Sequence, residues 1–109
     1  MSVTYNKNDL IVGKIQTRQV PLAADTYYKG QRLAWDVGTG RMLDIAGGDT
    51  VLCGVYMGET EVITAGEIRG VIVGGELWAG GVVDDAGAAV TLTLANKVAY
   101  QKLGFYFQD

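Results

Sequence analysis

Gln31-Arg32-Leu33-Ala34-Trp35-Asp36-Val37-Gly38-Thr39-Gly40-Arg41 alternates apolar with polar residues and then breaks at a glycine-bearing loop. Leu33, Trp35 and Val37 fall on one face, with Arg32, Ala34 and Asp36 on the other, the period of a half-buried strand. That face places Trp35 in the core. Gly38-Thr39-Gly40 suits a hairpin loop, and the chain returns from Arg41 with Leu43 and Ile45 facing inward, up to Gly47-Gly48-Asp49.

Outward from this hairpin the same grammar repeats. Thr50 to Met57 is almost wholly apolar and reads as a central strand covered on both sides. Glu59, Glu61 and Gly66 mark turns around the short run Val62-Ile63. Glu67 to Val73, Gly74-Gly75, Glu76 to Ala79, Gly80-Gly81 and Val82-Val83 then read as short strands joined by two-glycine turns, a meander. One helix is expected from about Thr91 to Leu103, with Leu92, Ala95, Ala99 and Leu103 inward and Thr91 or Thr93 as N-cap. Gly104 stops it, and Phe105-Tyr106-Phe107 returns to the sheet as a strand. Toward the N-terminus the chain is polar up to about Gln19, with an apolar run only from Leu10 to Ile15, so residues 1–19 read as an arm plus one strand. Residues 20–109 then form a single β-rich domain. The expected fold is mainly β: a small β-barrel or β-sandwich-like domain of glycine-turn hairpins, with one short C-terminal helix and an extended N-terminal arm.

Composition agrees with that class. The 109 residues are 49% hydrophobic and 19% charged, which suits one folded domain with a small core. Sixteen glycines against one proline, Pro21, call for many tight turns. The formal net charge is −3, so the whole chain has no general attraction for nucleic acid or an anionic membrane. Residues 1–32 carry five basic against two acidic residues, and the remainder carries four against ten. A basic N-terminal third therefore precedes an acidic body. No signal-like opening and no apolar stretch of membrane-spanning length occurs, and a soluble intracellular product is expected.

The chemistry is sparse. The chain has no histidine, which removes the commonest general base and transition-metal ligand. Its single cysteine, Cys53, lies in an apolar run and reads as a small buried hydrophobe that cannot form an intrachain disulfide. Asp84-Asp85 and the pair Glu59 and Glu61 are the close acidic groupings; a hard cation or glycosidic hydrolysis would use such pairs. Both sit beside glycines, where acids commonly bond the backbone of a turn. The glycine pairs lack phosphate-loop spacing. Tyr27-Tyr28-Lys29 is the lone aromatic-basic cluster, and it reads as packing rather than base stacking. No catalytic residue, cofactor site or metal site is expected. Among the other aromatics, Trp78, Tyr106 and Phe107 are candidate subunit-interface anchors.

Taken together, Tyr28 to Arg41 resembles a "Y-x-G-x-x-L" segment followed by a "D-x-x-T-G-K/R" hairpin, as in the head decoration (cement) proteins of tailed bacteriophages, the lambda head-decoration-like family. Cys53-Gly54-Val55, after Gly48-Asp49, is similar to that family's "x-G-V" strand. Gly70 to Leu77 is similar to its glycine hairpin, and Leu94 to Phe107 to its C-terminal helix and "L-G-I-Y" strand. The resemblance covers about Tyr28 to Asp109. It implies a non-enzymatic virion protein, made in the host cytoplasm, that binds the outer surface of the expanded capsid as a trimer and stabilises it. The implied partners are the major capsid protein and further copies of the chain, with no nucleic acid and no membrane. By analogy the capsid-contacting arm is Ser2, Val3, Thr4, Tyr5, Asn6 and Lys7. The alternative reading is another phage structural component, such as a minor capsid, fibre-base or tail protein, or a generic oligomeric β module.

Overall fold

The computed structural model describes residues 10–45 and 51–109. Eight strands and one helix follow in order: β1 (Ile11–Pro21), β2 (Asp25–Tyr27), β3 (Arg32–Asp36), β4 (Arg41–Asp44), β5 (Gly54–Tyr56), β6 (Glu61–Ile63), β7 (Ile68–Trp78), α1 (Leu94–Gln101) and β8 (Phe105–Gln108). The protein is mainly β, with one short helix near the C-terminus, as the sequence pattern requires.

The main sheet runs β1-β7-β5-β3-β4, antiparallel throughout, and β8 adds in parallel to the C-terminal half of β7. β2 and β6 form a separate antiparallel pair. Just beyond β1, Leu22 bridges to Met42 of β4, and the Ala23 amide donates to the Met42 carbonyl at 2.8 Å. The two ends of the strand order approach each other at this point beyond β1, and the sheet curls around an interior as a small, partly open barrel.

Alternation along the strands sorts side chains into two cores. Tyr56 and Val71 are cross-strand partners and share one cluster with Val20, Leu22, Tyr27, Leu33, Met42 and Ile63. Their neighbours Val55 and Ile72, also partners, point the opposite way into a second cluster with Leu77, Val82, Leu92, Tyr100 and Phe105. β5 is therefore buried on both faces, as expected for a central strand, although the strand itself is only Gly54–Tyr56. Cys53 packs half-buried against the first cluster as a free thiol.

The hairpin of β3 and β4 forms where expected, and Asp36 organises its loop. The Asp36 carboxylate accepts from the Gly38 amide and the Thr39 hydroxyl, both at 3.0 Å, while its carbonyl accepts from the Gly40 amide at 2.8 Å. Trp35, however, is 38% exposed and Val37 98% exposed. The strand stops at Asp36, so Val37 belongs to the loop, and Trp35 stands at the hairpin's far end beyond the core. On β4 Met42 is buried and Leu43 only half-buried, and Ile45 just beyond it is buried; Met42 belongs to the first cluster and Ile45 to the second.

Two further expectations are corrected. Residues 67–83 do not form a meander: β7 runs unbroken through Gly74-Gly75, and the register with β1 slips on both sides of that pair. A Cβ on Gly75, whose φ is +121°, would run into the Lys14 carbonyl, so the glycine allows a bulge and a close strand approach instead of a turn. Gly80-Gly81 lies in a single 3-10 turn, and Val83 makes only isolated bridges. The helix does start at an N-cap Thr93, with reciprocal bonds between Thr93 and Asn96, but its inward face differs. Ala95 and Leu103 are exposed and Tyr100 is fully buried. The larger ring wins the core position because it buries more area and its hydroxyl finds a donor, the Arg32 guanidinium, at 2.8 Å. Gly104 ends the turn after α1 at φ +94°, and β8 follows as expected. β1 extends beyond the expected Leu10 to Ile15 run, to Pro21, and so crosses the boundary drawn at residue 19.

Candidate interaction surface

Three aromatics stand out in the sequence as interface anchors, and the fold treats them differently. Phe107 is half-buried between Tyr100, at 5.8 Å edge-on, and Phe105, stacked at 6.4 Å, so it supports the core under α1. Trp78 closes β7: its amide donates to the Leu10 carbonyl at 2.8 Å, and its half-buried ring lies against Gly80. Tyr106, on the other face of β8, is 47% exposed and free to meet a partner. It lines a groove of about 640 Å³ with Lys14, Ile15, Gln16, Gly75, Glu76 and Gly104. The arm positions Ser2, Val3, Thr4, Tyr5, Asn6 and Lys7 lie outside the described residues.

The groove is set by the bulged ribbon of β1 and β7. Between Ile11 and Ile15, β1 carries more residues than β7 opposite it, and the Lys14 amide there donates to the Glu76 carboxylate at 3.2 Å. Beyond this bulge, Gln16, Thr17, Arg18 and Gln19 are exposed in succession.

The best-knit charged group is one the sequence reading split. Glu61 was paired with Glu59 as an acidic motif, yet its carboxylate accepts from Arg69 Nε at 3.0 Å and from the Tyr56 hydroxyl at 3.2 Å. Arg69 also lies 3.7 Å from Glu67. The Arg69 guanidinium holds the Glu61 carboxyl below the usual carboxylate range, and burial together with the Glu61 charge pushes the Tyr56 hydroxyl up. The group lies along a groove of about 300 Å³ lined also by Thr17, Gln19, Met57 and Gly70. These contacts join β5, β6 and β7 through Tyr56, Glu61 and Arg69.

Asp84 behaves as a turn acid. Its carboxylate accepts from the Ala86 and Ala88 amides, both at 2.9 Å, which keeps its carboxyl below the usual range. Asp85 and Glu59 are exposed. Among the described residues no group of three or more His, Cys, Asp or Glu is arranged to hold a metal ion, and no helix is long and apolar enough to cross a membrane. Tyr27 is core: its hydroxyl donates to the Ala23 carbonyl at 2.7 Å, and its ring meets Tyr56 at 5.7 Å.

One polar node escaped the sequence reading. Gln31 is fully buried; its carbonyl accepts from the Tyr28 amide, and its amide donates to Asp44, each at 3.0 Å. Burial is the main cause that raises the Asp44 carboxyl above its ordinary value. Nothing in the local pattern separates Gln31 from any outward polar residue of an alternating strand; only the barrel wall that closes over it does. No family model and no curated protein matches this chain.

Proposed function

We propose that this chain is a non-enzymatic virion structural protein that binds the outer surface of an expanded tailed-phage capsid as a homotrimer and stabilises it. The observation that carries the reading is the order and spacing of the segments that resemble head decoration proteins. Three of them fall on matching elements, namely the loop before β3 with the β3–β4 hairpin, β5, and α1 with β8, while the fourth, Gly70 to Leu77, lies within the continuous strand β7 and not in a hairpin. A small barrel with an aromatic-rich C-terminal strand also fits an assembly role. So small a domain gains stability when exposed anchors such as Tyr106 are covered by another subunit. The partners in this reading are the major capsid protein and two further copies of the chain.

The test is co-sedimentation of the purified protein with expanded and unexpanded heads, with its free mass taken from light scattering. Saturable binding to expanded heads alone is the expected result. A protein that ignores heads returns the assignment to a tail component or a generic β module. Deleting residues 1–8 is expected to weaken head binding, and an unchanged isotherm would remove the arm from the reading.

A further inference from the structure

β1 is paired with β7 on one side. Among the described residues no strand lies along its other side until Leu22 bridges to Met42. Gln16 to Gln19 are all exposed, so neither face of the strand is covered along this stretch. An open edge of this kind presents unpaired backbone donors and acceptors to any extended chain that approaches.

The side chains narrow the choice of chain. β1 carries Lys14 and Arg18 and no acidic residue. A second copy pairing antiparallel about Gln16 would set Lys14 against Arg18, and like charges placed directly opposite disfavour a strand pair. An acidic strand meets the reverse situation, with a carboxylate within reach of each base. The Tyr106 groove lies on the other side of β1, over Gly75 and Glu76 of β7 toward β8, so it is not part of this edge, and the Glu76 carboxylate there is engaged by the Lys14 amide.

We propose that the outer edge of β1, from Ile15 to Gln19, accepts an extended acidic segment of a partner protein as an added strand, with Lys14 and Arg18 pairing its carboxylates. This deepens the assembly reading by naming the chemistry of the contact, and in that sense rests on it. The charges act as a filter as much as an attraction, since they oppose edge-to-edge growth of the protein on itself.

The probe is a capped synthetic peptide of about nine residues, long enough to span the edge, in which glutamate alternates with valine and threonine. A counterpart with lysine in place of glutamate is the control. The full chain is labelled and its amide resonances are followed during titration. The glutamate peptide is expected to shift the amides of residues 15–19 saturably, and the lysine peptide to leave them unmoved. Lys14→Glu with Arg18→Glu is expected to weaken binding roughly tenfold, and raising salt to act in the same direction. Lys14→Gln with Arg18→Gln gives a milder loss and serves if the reversed pair does not fold. No saturable shift with the glutamate peptide, shifts centred elsewhere, equal binding of the lysine peptide, or unchanged binding by a folded variant would each overturn the proposal. Because no heads are present, a negative result counts against the edge alone, whereas failure to sediment with heads counts against the assembly reading.

Discussion

β1 and β7 are each eleven residues long and lie side by side, yet they lead opposite lives: β1 carries five polar or charged side chains, Lys14, Gln16, Thr17, Arg18 and Gln19, and β7 carries two, Arg69 and Glu76. In β7, Val71, Ile72 and Leu77 are fully buried; in β1, Val20 alone is. β7 has β1 along one side and β5 and β8 along the other, whereas among the described residues β1 pairs with β7 alone. The strand with fewer polar side chains is the one with neighbours on both sides, so composition and position in the sheet act in the same direction.

The sharpest way to break this comparison is at the bulge. Gly75→Val places a branched side chain at φ +121°, with its Cβ 2.5 Å from Ile15 Cα, and should cost about 3–5 kcal/mol in urea unfolding. Gly13→Ala on the facing strand meets chiefly the carboxyl end of Glu76, which can swing away at the loss of its bond from the Lys14 amide, and should cost about 1–2 kcal/mol. Equal costs would mean that the bulge is not held as described. Next in size is the cross-strand pair Ile72 and Thr17. Ile72→Ala should lose about 2–4 kcal/mol, and Thr17→Ala stay within about 0.5 kcal/mol, by the same measurement.

Two titrations separate the barrel interior from its rim. Burial, reinforced by Asp25 and Asp44, pushes the Tyr27 hydroxyl up to about 12. With the folded value above the ordinary one of about 10, its contribution is complete below that pH and is lost as pH rises toward about 12. Unfolding in this range should accompany tyrosinate absorbance, and Tyr27→Phe should remove part of the alkaline loss. The smallest effect lies at the rim. The Glu61 carboxyl is held low by Arg69, so its pairing contributes above the ordinary carboxylate value and is lost as pH falls through the folded one. Glu61→Gln should slightly flatten the acid limb of a plot of melting temperature against pH; a steeper limb would contradict the clamp.

Much of the fold was legible because local rules agreed with the tertiary outcome. Thr91 or Thr93 offers a helix start, Gly104 its stop, and Gly38-Thr39-Gly40 a hairpin loop. The misreadings have one physical root: a pattern reports periodicity and not which surface is present to receive it. Trp35 alternates correctly but stands beyond the core. Gly74-Gly75 has the composition of a turn but sits opposite a neighbouring strand that needs room. Of the candidate surface, Tyr106 was one of three aromatics that the sequence offers without distinction, and only the fold separates it from the half-buried Trp78 and Phe107; the Glu61–Arg69–Tyr56 clamp was not legible, because its members come from three strands.

Sequence alone determined the class: an all-β chain with one capped helix, with no histidine or second cysteine with which to build the commonest catalytic and metal sites. Glycine placement, alternation and capping are local, and they act before any long-range contact forms. The tertiary structure decided which strand became central, which glycines became a bulge, where Gln31 and Tyr100 were buried, and that β1 kept an open edge. Those outcomes depend on which surfaces remain once the sheet has curled round to bring Leu22 to Met42, and no window of neighbouring residues contains that information.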